Sequence, residues 1–525
     1  MPSKMRWVVQ VLMVVLVGIG MSVGTGCAQE AADTLTVTTR LVVLDATVLD
    51  RQGNLVMQPL GKDDFQIEES KKPQTVYSFE SAADHAAAMA RGEVEKAPAL
   101  IFVLDEVNYA YDAMNTEAAN MMVRLGDEAY ERNELLNFMK TQPEPLRETA
   151  EVLVLTHHGF RILVQPTRDK SVLMERVKKH DPGLWSPYRD DLEETGGGGI
   201  AGYALTRTSM QAVWSLALEE RGVPGHKLVI WLGLGAPNEE TSSQPAKGEQ
   251  LSPLDRYVRE ITDALVDARI TMDVFRPGGG PMQGNSNIGY QEAKSYRFDD
   301  ESGFTGYVLA TGGQMKGGND VRGEIQTSVR YGSHFYTMSY RPTDPEENGE
   351  FRPIRVTVKG HPEWTVLTKA GYYAMQFGGA RDAERQLQND LSVATFEALP
   401  FSAIEAKVEK IERIQGTEQV RFTFLVDSDD LQWDKDSTTK KSEANLVISG
   451  AALGVPSQEN SLTSRVATWK LDAPRGVARS AVISTVSLTM RVPEKTRRLR
   501  FVVQDMANGR MGSVDLNPAV IAEAP

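Results

Sequence analysis

The sequence predicts an α/β fold in which a central doubly wound sheet is flanked by β-sandwich-like modules at both ends. Three observations carry that expectation. The run Ala99-Leu-Ile-Phe-Val-Leu104 is apolar throughout and closes on Asp105, as a strand buried on both faces must be. Beyond it, apolar runs alternate with helix-period stretches as far as Phe275, the order from which parallel sheets are built. On either side the period falls to two, with turn residues between short β-branched runs.

At the N-terminal side, Leu35–Leu49 alternates β-branched and polar residues up to the turn Asp50-Arg-Gln-Gly53. Phe65–Phe79 repeats the pattern around a hairpin tip at Glu69-Ser-Lys-Lys72. Together they set a small β module at 34–82, and Ala82–Ala97 reads as a linker or short helix. The α/β domain, 98–376, continues with a helix at about 114–140, strands Val152–Leu155 and Arg161–Val164, and helices at about 170–180 and 206–221. Strand Lys227–Leu232, a helix at about 252–268 and strand Ile270–Phe275 follow. Asp169 before the second of these helices and Gly222-Val-Pro-Gly225 after the third are ordinary start and stop signals. A short helix near 319–331 and strands His334–Tyr340, Ile354–Val358 and Thr365–Thr368 close the domain. The charged stretch 379–392 reads as a solvated helical linker. From 395 to 525, strands such as Val420–Val426, Ala444–Ile448, Ser480–Met490 and Leu499–Gln504 suggest a β-sandwich-like C-terminal domain.

Composition narrows the function. The chain has 525 residues, 57 Lys+Arg against 71 Asp+Glu and a formal charge of -14. That charge repels phosphate and no basic run offsets it, so nucleic acid is not an expected partner. One cysteine rules out an internal disulfide or a Cys-rich zinc ribbon. Lys4 and Arg6, the apolar stretch from Trp7 and the small residues up to Ala28 have the order of a secretory signal over 1–28. Cleavage after Ala28 makes the protein secreted, periplasmic or cell-surface and removes the only cysteine. A lipoprotein is the alternative, since Gly26-Cys27 offers a lipidation site, although Gly24 replaces the usual large aliphatic residue. Membrane attachment is expected only through a lipidated Cys27.

Motifs that suggest catalysis fail on context. Gly20-Met-Ser-Val-Gly24 matches a serine-hydrolase pattern but lies in the signal segment. Gly197–Gly202 matches G-x-G-x-x-G but follows the acidic run Asp190–Glu194, not a strand, and reads as a flexible loop. His157-His158 lacks paired metal spacing and fits a loop, and Tyr372-Tyr373 fits strand packing.

Val43–Gly53, Lys62-Asp-Asp-Phe65, Pro73-Gln74, Leu104-Asp-Glu-Val-Asn108, Pro224–Trp231, Ala310-Thr-Gly-Gly313, Asn319-Asp320 and Gly371-Tyr-Tyr-Ala374 stand in an order and spacing that resembles the von Willebrand factor A-related (VWFA-related) family described mainly from acidobacteria. The resemblance covers most of the chain after the signal. It implies a von Willebrand factor A-like, Rossmann-like central domain used for non-enzymatic binding, adhesion or assembly, with a protein, extracellular-matrix or cell-surface ligand.

In such domains a cation is held by Asp-x-Ser-x-Ser after the first strand, a later Thr and an Asp after the fourth strand. Here Asp105-Glu-Val-Asn-Tyr109 keeps only the leading acid. Asn108 offers a carbonyl oxygen, Thr206 or Thr208 stands near the expected Thr, and Gly233–Asn238 carries no acid. Fewer charges and ligands disfavour Mg²⁺ or Ca²⁺, so no cofactor is expected. The competing reading has Asp105 capping a helix or bonding neighbouring loops. Ligands of open α/β sheets bind beyond the strand carboxyl ends, which puts Asp105, Asn108, Thr156, Asn238 and Arg276 on one rim, beside the long insertions 181–204, 236–252 and 276–300. The rival function is a secreted hydrolase or other enzyme using that rim.

Overall fold

The computed structural model describes residues 41–91, 100–108, 117–182, 198–235, 253–277, 304–318, 320–344, 346, 349–374, 380–396, 399–435, 441–454, 461–474 and 484–521. The expected signal segment with Cys27, the site residue Asn238 and most of the three long insertions lie outside the described residues.

The central sheet has six strands: β1 Leu100–Asp105, β2 Ala150–Thr156, β3 Gly159–Thr167, β4 Lys227–Leu232, β5 Ile270–Pro277 and β6 Met315–Gly318. Their order is β6-β5-β4-β1-β2-β3. All run parallel except β3, which returns antiparallel along β2 through a tight turn. The sheet is therefore mixed, and its order reverses between β1 and β4, the switch point of a doubly wound fold.

Two-sided burial explains the apolar runs. Ile101, Val103, Leu153, Leu155, Val229 and Trp231 face one core, with helices α3 Gly198–Arg221, α4 Pro253–Asp267 and α5 Phe304–Ala310. Their neighbours Leu100, Phe102, Leu104, Val152, Val154 and Ile230 face the other, with α1 Glu117–Thr141, α2 Lys170–Lys179 and α6 Val321–Gly332. Each fully buried side chain of this kind stabilises the fold by about 1.5–3 kcal/mol. The start of α2 is set by Asp169, whose carboxylate accepts from Val172 N at 3.0 Å. One boundary differs from expectation. α3 begins at Gly198, so Gly198–Gly202 are helical and not a flexible loop. A glycine costs a helix interior only about 1 kcal/mol, and extending a formed helix avoids the cost of nucleation.

Strands Tyr336–Tyr340, Phe351–Val358 and Thr365–Leu367 leave the α/β layer, where the sequence places them, and pair with the N-terminal strands. Val42–Leu49 lies between Thr365–Leu367 and Tyr336–Tyr340, and Val76–Glu80 pairs with the outer side of Tyr336–Tyr340. Phe65–Glu69 pairs with Lys72–Gln74 and with Phe351–Val358, which also pairs with Gly371–Tyr373. The described part of the expected N-terminal module, from residue 41, is thus not closed on itself. Its apolar faces share one core with Tyr336, Met338, Ile354 and Val356. The hairpin tip falls where expected, with Ser70 and Lys71 both at positive φ (48° and 66°), as a two-residue hairpin turn requires.

The stretch expected as solvated linker is helix α7, Ala380–Phe396, and its second half is buried. Leu391, Val393 and Ala394 enter the α/β core, and Asp390 accepts from Arg221 Nη2 at 3.1 Å. Arg500, fully buried, donates to the backbone oxygens of Ala394 and Leu399, fixing the end of α7. Beyond it stand a three-stranded antiparallel sheet and a five-stranded antiparallel sheet, sharing a core in which Phe422 and Phe424 pack on Phe501.

At the amino end of the central sheet, the buried carboxyls of Glu151 and Glu220 and the half-buried one of Glu219 crowd one interface. Glu151 opens β2, Glu219 and Glu220 end α3, and Ser402 donates to Glu219 through its backbone N at 3.1 Å and its hydroxyl at 2.6 Å. Burial, then the nearby Glu219, pushes Glu151 up to about 8 from 4.5. Because the folded value exceeds the unfolded one, the native state binds more protons. This contribution is complete below about pH 4.5 and is lost as pH rises through about 8. Stability should therefore fall between pH 5 and 9 by an amount on the order of a few kcal/mol. Glu151→Gln should flatten that slope, as measured by urea unfolding at each pH. An unchanged slope would place the ionisation elsewhere.

Candidate functional site

Asp105 ends β1 at the switch point, beside the carboxyl end of β4. It is 1% exposed. Both carboxylate oxygens are engaged by nitrogen donors. Oδ1 accepts from Val107 N at 3.1 Å, Asn108 N at 3.0 Å and Asn108 Nδ2 at 3.1 Å. Oδ2 accepts from Asn108 Nδ2 at 3.0 Å, Trp231 Nε1 at 2.9 Å and Gly235 N at 3.1 Å. Burial raises the pKa of Asp105, and these bonds oppose the rise.

The local sequence builds this node. The two backbone bonds to Val107 and Asn108 let Asp105 cap the turn that leaves β1. Trp231 is anchored edge-on against Phe160 and Phe304, with ring centroids 5.9 and 4.8 Å apart. The loop after β4 hugs the carboxylate because it is glycine there. A Cβ on Gly233 (φ +137°) would stand 2.4 Å from Asp105 Cβ, and one on Gly235 (φ +70°) 2.3 Å from the Phe304 ring.

Asn108 is also buried. Its Nδ2 donates to Ser209 Oγ at 3.0 Å, and Ser209 Oγ reaches Asn108 Oδ1 at 3.3 Å. The amide must present nitrogen to Asp105, since the flipped form would set two oxygens against each other. Mg²⁺ and Ca²⁺ take oxygen ligands, and among the described residues the groups that hydrogen-bond Asp105 are N–H donors. The set does not fit such an ion. Among the described residues, no group of three His, Cys, Asp or Glu side chains has the arrangement to hold a metal.

The other expected site residues separate. Thr156 stands one residue beyond Leu155, the register partner of Asp105. Its hydroxyl donates to Gly159 O at 2.9 Å and accepts from His158 N at 3.2 Å, so it shapes the β2–β3 turn. Thr206 lies in α3 with its side chain outside the described residues. Thr208 is half-buried, but the hydroxyl that meets Asn108 is that of its neighbour Ser209. Arg276 lies in β5, opposite Gly317 of β6, and its side chain is outside the described residues.

Two further features flank the node. Glu131 of α1 is 2% exposed, and burial, then Asp105, Asp127, Glu128 and Glu106, hold its carboxyl well above the usual range. On the β3 side, Glu106 pairs with Nε2 of His180, just past α2. Arg161 Nη2 stands 3.4 Å from His180 Nδ1. Since a guanidinium only donates, Nδ1 accepts and Nε2 carries the proton toward Glu106. The sequence marked Asp105 and Asn108 through the β1 exit, but it gave no spacing signal for Ser209 or for the Glu106–His180–Arg161 chain, whose members are distant along the chain.

No family model and no curated protein matches the sequence. Among solved structures, the chain is similar to the conserved hypothetical protein BatB from Bacteroides thetaiotaomicron, at 12% identity over 45% of this chain and 98% of that one, with a TM-score of 0.22. It is also similar to the SpRpn10 VWA domain, at 10% identity over 43% of this chain and 92% of that one, with a TM-score of 0.19. At these scores the fold description rests on strand order and connectivity.

The node predicts a stability cost. Asp105→Ala takes the Asp105 acceptor from the buried nitrogens of Val107, Asn108, Trp231 and Gly235, while Asn108 Nδ2 keeps Ser209 Oγ, each lost partner costing about 1–3 kcal/mol before relaxation. The variant should lose about 3 kcal/mol or more, read as a lower urea midpoint at unchanged slope. A midpoint within error of the parent would show that the node does not hold the rim.

Proposed function

We propose that the protein is an exported, non-enzymatic binding or assembly module of von Willebrand factor A-like architecture, flanked by β-sandwich-like modules. Its recognition face is the carboxyl-end rim around Asp105, Asn108 and the β4 exit, and its ligand is a protein at the cell surface or in the extracellular matrix. The observation that carries this reading is the saturation of Asp105 by nitrogen donors. It leaves an anchored rim at a switch point, where ligands of such sheets bind, without the oxygen shell of a cation site. The fold reading draws on the 3-2-1-4-5-6 strand order together with the sequence motifs at the β1 and β4 exits.

The enzyme reading lacks support by comparison. Catalysis of hydrolysis needs a nucleophile beside an oriented base. The Glu106–His180 pair supplies an oriented imidazole, but its Nδ1 faces Arg161 and not a hydroxyl or thiol.

The same node supports a cation-independent reading. An ion present at 100 times its dissociation constant adds about 2.7 kcal/mol of native-state stability, enough to see in a thermal melt. Millimolar Mg²⁺, Ca²⁺ or Mn²⁺ should leave the melting temperature of the full chain nearly unchanged. A clear stabilisation lost on adding chelator would overturn the cation-free reading.

Export rests on the charged, apolar and small-residue order of 1–28. The intact mass of the protein from its native host should correspond to a chain beginning at Gln29. A mass retaining residues 1–28, or a diacylglyceryl-modified Cys27, would sink that assignment.

A further inference from the structure

On its β3 side the rim continues into a groove that the Asp105 node does not use. β3 is the edge strand of the sheet, and α2 packs beside it. Between them opens a cavity of about 460 Å³ whose lining includes Arg161 and Leu163 of β3, Arg176 and Lys179 of α2, and His180. Arg161 and Arg176 are exposed, and Leu163 is half-buried between the cationic groups.

These cations are not committed to the fold. Arg176 makes no hydrogen bond or ion pair among the described residues. Lys179 meets Glu175 at 2.6 Å, one turn back along α2, but both are largely exposed, at 73% and 62%. Such a surface pair contributes only about 0.3–0.5 kcal/mol and yields to a better partner. Arg161 has its 3.4 Å contact to His180, which Glu106 holds in place with its side chain 3% exposed. The guanidinium therefore starts from a fixed neighbour with donors to spare. Arg176 and Lys179 are three residues apart on one helical face, across the groove from Arg161.

The setting makes this cluster selective. The chain carries a formal charge of -14, and the α1 side of the rim gathers Asp127, Glu128 and Glu131. An acidic partner is repelled by the net charge of the chain and attracted here, which orients the encounter. Glu175 and Asp181 also border the groove. They oppose a continuous phosphate backbone, while leaving room for carboxylates spaced along a peptide.

The geometry points to a docking site for a carboxylate-rich segment of a partner protein, held by Arg161 and Arg176 through paired N–H donors and by Lys179 as a point charge. This deepens the rim reading above and rests on it for the class of partner. Guanidinium groups match carboxylates in a planar, two-bond geometry, and Leu163 offers an apolar contact for the stem of the bound residue.

The test uses the full chain and a fluorescein-labelled hexaglutamate peptide, with hexaglutamine as control, followed by anisotropy. Hexaglutamate should bind and hexaglutamine should not, and binding should weaken steeply between low and high salt. The double variant Arg176→Glu/Lys179→Glu changes only exposed side chains. It should keep the parental melting temperature and lose about tenfold or more in affinity, a change worth 1.4 kcal/mol per decade. Unaltered binding by that variant, no binding of hexaglutamate, or equally tight binding of a DNA duplex would each overturn the proposal. Cross-linking of a native partner at the rim separates the two readings. If the same partner is captured by the parent and the double variant alike, the rim reading stands and the acidic-segment site falls.

Discussion

The Asp105 carboxylate closes three pieces of chain onto one point: the exit of β1 through Val107 and Asn108, the end of β4 through Trp231, and the loop beyond it through Gly235. Two parallel strands at a switch point diverge into crossovers on opposite faces, and a crevice opens between their ends. A buried carboxylate placed there must be paired, since its desolvation otherwise costs several kcal/mol. Among the described residues, backbone, indole and Asn108 amide N–H groups meet that demand. Ser209 then ties Asn108 to α3, so the rim inherits the rigidity of the helix layer.

The opposite end of the sheet solves a different problem with the same chemistry. Lys227, 1% exposed at the start of β4, donates to the backbone oxygens of Glu220 and Ala268 at 2.9 and 3.0 Å and also to Val223. One ammonium thereby satisfies the carbonyls that α3 and α4 leave open at their ends. Arg269, at φ 57° where glycine is favoured, grips Asp45 of the N-terminal strand through two bonds at 2.6 and 2.9 Å. The strain of that backbone, of order 1–3 kcal/mol, is offset by a bidentate ion pair that fastens the α/β layer to the β layer. Buried charge thus fixes how the layers meet, while apolar burial supplies the bulk of the stability.

The central sheet was legible because double burial writes itself as unbroken apolar runs. Leu100–Asp105 and Lys227–Leu232 are buried at every position, and no loop residue imitates that. The partners of the outer strands were not legible. Tyr336–Tyr340 follows α6 in sequence exactly as another sheet strand would, and only its long-range pairing with Val42–Ala46 shows otherwise. The hairpin at Ser70-Lys71 lacks the Gly or Asn that usually announces such a turn, yet its flanking polar run gave the position. The charged stretch after Gly379 concealed a half-buried helix, because Leu391, Val393 and Ala394 come after the charges and not among them. At the site, motif matching found Asp105 and Asn108 but not what they bind. A retained acid looks the same in sequence whether it faces a metal or an indole N–H.

That ambiguity bears on how the rim recognises anything. A cation at a switch point would give the partner's carboxylate a single strong, directional contact. On the cation-free reading proposed above, selectivity would come from side chains that surround the node. Their charges are divided. Toward α1 the rim gathers the carboxyls of Asp127, Glu128 and Glu131, the last with its pKa held well above the usual range by burial and by its acidic neighbours. Toward β3 it is basic, with Arg161, Arg176 and Lys179 beside a fixed His180. If the rim binds a protein as proposed, a face polarised in this way would set the orientation of the approaching partner before contact, since like charges on one flank and opposite charges on the other produce a torque as well as an attraction. The Asp105 node would then contribute by tying the β1 exit, the end of β4 and Gly235 to one point, so that less ordering is needed on binding.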